Sequence, residues 1–312
     1  MDRSDVILVA GEALIDLLIT PAGYVSAALG GAPFNTARAC SRLGAEVAFV
    51  GAISNDRFGQ MLAAQLAADG VGLGFAQRVD LPTTLAAAEL DEDGAATYRF
   101  YIERTSAPEL GQLPKELLDS RPEAFFTGGL GLVLEPMASV IEQMIADLVA
   151  GHPPIVMMID LNCRPLLIED RDAYVRRVRP MLAAASVVKV SSDDLAYLDP
   201  GVDPGIAACA LVADGATAVL LTDGAAEIRL FTASAQSIVS VPPVDVVDTI
   251  GAGDTFSGAF LASWIAAGRG RHELASIDAL VPAGEIAIRA AGLACQRAGA
   301  DPPRMHDLRL KF

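Results

Sequence analysis

The chain has 312 residues, room for one large domain with a small accessory piece, and carries a formal net charge of −16 with a pI near 4.5. Acidity on that scale disfavours nucleic acid and anionic membrane as partners. Mean hydropathy is high at +0.41, yet charges or glycines interrupt every long apolar run, so no stretch reads as a membrane span, and the opening MDRSDVILVAGE lacks a signal-peptide pattern.

In chain order, VILVA from Val6 reads as a buried strand, followed by LIDLLIT from Leu14, which reads as an antiparallel strand. A glycine turn at Gly30-Gly31 leads into a helix stiffened by Pro33 and running to about Leu43, where Gly44 ends it and VAFVG from Val47 begins the next strand. A helix spans Phe58 to Ala68, and Thr83 to Ile102 reads as an antiparallel pair around the turn DEDG at Asp91. Then apolar strands alternate with helical patterns: AFFTG (Ala124), Glu135 to Ala150, IVMMID (Ile155), Asp172 to Ala185, SVVKV (Ser186), Ile206 to Ala213 and TAVLLT (Thr217). Such alternation predicts an α/β fold with a mostly parallel sheet covered by helices on both faces. A last helix, RAAGLACQRAGADPP from Arg289, is ended by Gly299 and two prolines. No repeat or linker divides the chain, so a single domain over residues 1–312 is expected.

Cys40, Cys163, Cys209 and Cys295 show no CxxC spacing, and His152, His272 and His306 lie far apart, so neither zinc nor a disulfide framework is expected. Four reduced thiols in the core of a cytoplasmic protein fit this pattern better. The lysines are only Lys115, Lys189 and Lys311, and no GxxxxGK(S/T) loop occurs. Phosphate binding by a P-loop is therefore excluded, and contacts to phosphate fall to backbone amides and arginines.

The most informative stretch is DTIGAGDTFSGAF, Asp248 to Phe260: an acidic loop, a glycine turn, then a helix whose first residues include Gly253 and Asp254. Backbone N–H groups at Gly251, Ala252 and Gly253, with the positive end of the helix dipole, make a site for a phosphoryl group. Asp254 beside it is placed to take a proton from an attacking hydroxyl. A plain helix start with an acidic first turn explains the same residues. The second glycine cluster, GGAPFNTARACSRLGAEVAFVG from Gly30, puts Asn35 in a helix's first turn, where its amide both donates to and accepts from hydroxyl groups.

Together these two segments resemble the paired signatures of the ribokinase-like sugar kinases, the PfkB family, in the expected order and separation. The resemblance implies a ribokinase-like sheet sandwiched by helices, with a small antiparallel lid from about residues 14–29 and 82–104 covering a sugar site. It also implies phosphoryl transfer from ATP, with Mg²⁺, to a sugar hydroxyl in which Asp254 is the base and the Gly251–Gly253 amides form the anion hole. Asp16, in GEALID, resembles the acid that binds sugar hydroxyls alongside Gly31 and Asn35. DLNCRP from Asp160 is similar to the D-x-N-x-R-P of fructokinases and 2-keto-3-deoxygluconate kinases, making Arg164 a candidate for substrate or phosphates; a surface ion pair is the alternative.

KVSSDDL from Lys189 stands where relatives carry N-x-x-E, so Asp194 is a candidate to organise Mg²⁺, while an N-cap at Ser191 or Ser192 explains the segment equally well. TDGAAEIR resembles the nucleotide loop, with Thr222 and Gly224 matching. Asp248 has the spacing of the acid that binds a monovalent cation, K⁺ above all. CQRAGA and YRFYIERTSAP point, within the family, to fructokinases; Ile102 follows Phe100-Tyr101 where many fructokinases have arginine, and Arg99 and Arg104 flank it. Acceptors other than fructose, namely 2-keto-3-deoxygluconate, ribose or a nucleoside, are the alternatives, as is a non-catalytic sugar- or nucleotide-binding protein on the same fold. A homodimer formed through the lid completes the expectations.

Overall fold

Eight strands build the central sheet, and the six parallel ones among them are buried because their side chains are apolar on both faces. The computed structural model describes residues 6–93, 96–113, 117, 122–151 and 155–308. Lys115, Lys311, His152 and Gly94 of the DEDG turn lie outside the described residues. The strands are β1 (Val6–Ala10), β2 (Leu14–Ile19), β3 (Val25–Gly30), β4 (Glu46–Val50), β5 (Ala52–Ser54), β6 (Gln77–Val79) and β7 (Leu85–Leu90). They continue with β8 (Ala96–Tyr101), β9 (Ala124–Gly128), β10 (Val156–Asp160), β11 (Val187–Ser191), β12 (Ala218–Thr222), β13 (Glu227–Thr232) and β14 (Gln236–Ser240). The helices are α1 (Ala32–Arg42), α2 (Arg57–Ala68), α3 (Met137–Ala150), α4 (Arg171–Ala184), α5 (Ser192–Leu198), α6 (Pro204–Asp214), α7 (Ala252–Ala266) and α8 (Ile277–Cys295).

The sheet order is β14-β13-β12-β11-β10-β9-β1-β4, parallel from β12 to β4. Alternate residues feed two cores. Ile7, Val9, Phe126 and Met158 pack with α1, α2, α7 and α8, whereas Leu8, Phe125, Met157 and Ile159 pack with α3 to α6. Because the six strands are parallel, their C-terminal ends bring Glu12, Gly128, Asp160, Ser191 and Thr222 to one edge, the usual place for ligands in such sheets. No helix among the described residues is long and apolar enough to cross a membrane.

Several elements differ from the sequence-based expectation. β13 and β14 add an antiparallel edge, and the TDGAAEIR loop shrinks to the turn between Thr222 and Glu227; edge strands with one polar face carry a weak apolar signal. Helix α8 starts at Ile277, not Arg289, because it carries Pro282 in its interior, where a sequence pattern is read as broken. It ends at Cys295, before Gly299. The small sheet, β3-β2-β7-β8, consists of the expected antiparallel pairs β2-β3 and β7-β8, joined by a parallel pairing of β2 with β7. Cys40 and Cys163 are buried and unpaired as expected, but Cys209 is exposed and Cys295 half-buried, so the thiols are not all core groups.

Residues 297–308 fold back onto α1. The buried Asp69 carboxylate, just past α2, takes N–H groups from Arg38 at 2.8 Å, Arg42 at 2.8 Å, Gln65 at 3.0 Å and Arg304 at 3.3 Å. Arg42 also reaches Asp301, and Arg38 donates to the Ala300 carbonyl at 2.8 Å. Asp69 and Arg38 buried this deeply would be costly singly, and their mutual pairing offsets part of that cost.

Candidate active site

Helix α7 opens where the sequence placed the anion loop. Gly251 is its N-cap with φ of 74°, a left-handed conformation that favours glycine, so the chain turns sharply and the helix starts at Ala252. The Ala252 N–H is turned back to the Thr249 carbonyl at 3.2 Å, while Gly253 and Asp254 stand in the first turn, whose N–H groups have no acceptor inside the helix. Of the three amides proposed for anion binding, that of Ala252 is therefore engaged within the loop.

Close packing of α1 on α7 sets the distance between the two signatures. A Cβ on Gly258 would lie 2.6 Å from Ala39 Cβ and 2.8 Å from the Thr36 carbonyl oxygen, so only glycine permits this approach. Across that contact Asn35 Nδ2 donates to Asp254 Oδ2 at 2.9 Å, and Thr36 Oγ1 donates to the Asp254 carbonyl at 3.3 Å. Asn35 Oδ1 is buried without a partner, which leaves an acceptor facing the site. Burial pushes the Asp254 carboxyl up to about 7; the Asn35 hydrogen bond opposes this, Asp160 adds to it, and Lys189 and Arg164 pull back. Such a group is a base matched to neutral pH.

The N-terminus of α1 belongs to the same site. Gly31 caps it at φ 108°, and a Cβ there would press on the Glu12 carbonyl at 2.7 Å. Glu12 Oε1 accepts the Ala32 N–H at 2.9 Å, replacing a side-chain cap from the N-cap residue. Its Oε2 is buried without a partner, and burial pushes the Glu12 carboxyl up to about 8 against the hydrogen bonds of its own and the Ala32 amides. Asp16, on β2, is half-buried; a Cβ on Gly30 would sit 1.9 Å from its Oδ2, so Gly30 makes room for that carboxylate. Burial raises Asp16 to about 6, with Arg164 opposing. Arg164 is exposed, makes no ion pair among the described residues, and exerts its charge on Glu12, Asp16 and Asp254 together. A surface ion pair is thus not its role here.

Asp194 answers the alternative left open in the sequence. Its Oδ2 accepts the Ser191 N–H at 2.7 Å and the Ser191 hydroxyl caps the Asp194 N–H at 3.0 Å, a capping box that starts α5. Its Oδ1 accepts the Cys163 N–H at 2.7 Å, anchoring the DLNCRP loop. With both oxygens so engaged, Asp194 acts as a cap and loop anchor, and among the described residues no group of three or more acids, histidines and cysteines forms a metal cage. Asp248 takes the Ile250 N–H on one oxygen and the Gly299 N–H, at 2.8 Å, on the other, tying the anion loop to the C-terminal segment. Thr222 Oγ1 donates to the Val190 carbonyl at 3.3 Å, and Gly224 lies in the exposed turn after β12.

Sequence reasoning overlooked three groups. Lys189 on β11 is buried and paired with Asp160 on β10 at 2.9 Å, and Ser257 of α7 donates to the same Asp160 oxygen at 3.0 Å. A Cβ on Gly253 would come within 3.1 Å of Lys189 Nζ, so the ammonium lies directly behind the anion loop. One signal was available: a lysine inside an otherwise apolar strand, directly opposite an aspartate in parallel register. A groove of about 650 Å³, lined among others by Val239, Pro242, Val244, Ile288, Arg289 and Leu293, lies between β14, the segment after it and α8. That size suits a small organic ligand. Thr222 and Gly224 do not line it.

Residues 5–307 match the pfkB family carbohydrate kinase model. A fructokinase from Rhizobium leguminosarum bv. trifolii is 34% identical over 262 residues, 82% of this chain and 79% of that protein. A probable fructokinase-4 from Arabidopsis thaliana is 35% identical over 266 residues, 80% of this chain and 79% of that protein. The crystal structure of a fructokinase from Xylella fastidiosa with bound ATP superposes with a TM-score of 0.88 at 28% identity, covering 98% of this chain and 97% of that one.

Proposed function

The chain belongs to the pfkB family of carbohydrate kinases, and on that premise we propose that it phosphorylates D-fructose with ATP to give fructose 6-phosphate. The observation that carries the reading is the pair Asn35–Asp254 set beside the first-turn amides of α7. A carboxylate with a pKa near neutrality, next to an anion-binding helix end, suits deprotonation of a hydroxyl more than simple retention of a ligand.

In the proposed reaction the sugar lies between Asp16, the Gly31 backbone, Asn35 and Arg164. Asp254 takes the proton of the attacking hydroxyl as its oxygen bonds to the γ-phosphorus of ATP, and the bond from that phosphorus to the bridging oxygen of ADP breaks. The Gly251, Gly253 and Asp254 amides and the α7 dipole stabilise the transferred group. The groove beside α8 is the proposed seat of the adenine and ribose, with Thr222 and Gly224 at the phosphate side. Mg²⁺ brought with ATP would neutralise phosphate charge, with oxygen donors from the nucleotide and water. Asp194 then serves it at most through water, since its oxygens are already bound to amides. The sheet β3-β2-β7-β8 is the proposed lid that excludes water.

Two finer points belong to the same proposal. Asp248, with backbone oxygens of the 295–300 segment, offers the hard donors that K⁺ prefers; equal rates in K⁺ and in a bulky organic cation would remove this. The lid exposes Leu18, Tyr24, Val25, Tyr98 and Tyr101, an apolar surface proposed to meet a second copy of the chain; a monomeric mass by light scattering would remove that. The central test is a panel of sugars with ATP. Fructose is expected to give the highest kcat/KM, and a far better value for 2-keto-3-deoxygluconate, ribose or a nucleoside would overturn the assignment.

A further inference from the structure

Lys189 is one of three lysines in the chain, and its burial behind the anion loop has no packing rationale: a methionine would fill the same space without a charge to compensate. Its ammonium is held by both Asp160 oxygens, at 2.9 and 3.1 Å. Asp160 in turn accepts the Ser257 hydroxyl, so a single carboxylate joins the ammonium on β11 to the third residue past Asp254 on α7. A Cβ on Gly253, in the first turn of that helix, would lie 3.1 Å from Lys189 Nζ. Burial works against the ammonium, but Asp160, Asp194 and Asp254 outweigh it and hold its pKa above the ordinary lysine value. The charge is therefore permanent at neutral pH.

We infer that Lys189 is a positioning residue for phosphoryl transfer: held by Asp160 and Ser257 beneath Gly253, its fixed positive charge reinforces the anion hole from behind and favours the ionised form of Asp254. The inference rests on the kinase reading of Asp254. A preorganised charge in a site shielded from water stabilises developing negative charge at no reorganisation cost. The charged groups acting on Asp254 are Asp160 from β10, Lys189 from β11, Arg164 from the loop after β10 and, from the segment after β1, Glu12. Asp194, from α5, acts on Lys189. Among these, Lys189 is the buried cation, so its effect is the least screened by solvent.

The test uses Asp160→Asn and the double variant Asp160→Asn/Lys189→Met, whose buried pair is neutral, so that no orphan charge threatens folding. Wild type and Asp254→Asn are measured beside them. In Asp160→Asn the carboxylate that raises Asp254 is gone while Asp194 and Asp254 still favour the ammonium, and the acid limb of the kcat–pH profile is expected to move to lower pH. In the double variant kcat is expected to fall about 10–100-fold, less than the ~10²–10³ for a donor touching the oxyanion, with sugar and nucleotide affinity and Tm near those of the wild type. A double variant that keeps wild-type kcat, or an acid limb unmoved in Asp160→Asn, would show the pair to be structural and overturn the inference. If Asp254→Asn itself kept its kcat, the kinase reading of that carboxylate would fail instead, a result separable from the first.

Discussion

Gly258→Ala tests whether the contact between α1 and α7 sets the geometry of the site. The added Cβ would lie 2.6 Å from Ala39 Cβ, 2.8 Å from the Thr36 oxygen and 3.0 Å from the Cys40 nitrogen, two of them backbone atoms that cannot swing aside. Ordinary carbon contacts need about 3.5–4.0 Å, so the helices must part by about 1 Å. Asn35 and Asp254 stand on those two helices at 2.9 Å, and the same movement takes them beyond hydrogen-bond reach. Alanine gains about 0.8–1 kcal/mol of helix propensity over glycine, while overpacking costs about 1–3 kcal/mol, so stability falls by no more than about 2 kcal/mol. Catalysis is the more sensitive quantity, because a misplacement of about 1 Å costs about 10²-fold in rate. Steady-state release of ADP and a melting curve on the same preparation measure both. If kcat stayed within about twofold of wild type, helix spacing would not be what positions the base.

Asp254→Asn is expected to lower kcat by about 10²–10⁴-fold with sugar and nucleotide affinity largely kept, whereas a mere helix-dipole role would cost only ~0.3–1 kcal/mol of stability and little rate; kinetics, titration and melting separate the two. Because the base must be ionised and its pKa is raised to about 7, wild-type kcat should climb as pH rises through neutrality, and a flat profile from pH 5 to 8 would contradict the assignment. Glu12, raised to about 8 from 4.5, gives the opposite dependence for stability. A carboxyl whose folded pKa is raised stabilises fully below its unfolded pKa, and that contribution is lost as pH rises towards and through about 8. Glu12→Gln keeps the acceptor for the Ala32 amide and does not ionise, so its Tm should fall less than that of the wild type between pH 5 and 9; parallel curves would count against it.

The parallel strands and both glycine signatures were legible in the sequence because each depends on local properties: apolar runs, a left-handed glycine, an acidic first turn. Asn35 and Asp254 were each found this way, but their meeting was not, since it depends on Gly258, which looks like any small residue in a helix. Asp194 shows the reverse limit. Its type and spacing fitted a metal-organising acid and a cap equally, and the capping role becomes visible only in the directions of the Ser191 and Cys163 amides. Lys189 and Asp160 were hidden because their partnership crosses between neighbouring strands 29 positions apart. Strands β13 and β14 escaped because polar residues alternate with apolar ones in them and leave no continuous apolar run.

The knot of arginines on Asp69 bears on when the protein becomes competent during synthesis. Residues 297–308 supply Ala300, Asp301, Pro302 and Arg304, and through them α1 and the end of α2 acquire polar partners. Gly299 holds Asp248, and the Ala300 methyl lies where any side chain on Gly251 would have to go. A nascent chain can thus complete α1, the sheet and even α7 while the loop preceding Asp254 still lacks its outer wall. The last dozen described residues thus complete the loop before Asp254, and a chain truncated before Gly299 is expected to lack both the Asp248–Gly299 hydrogen bond and the Ala300 wall.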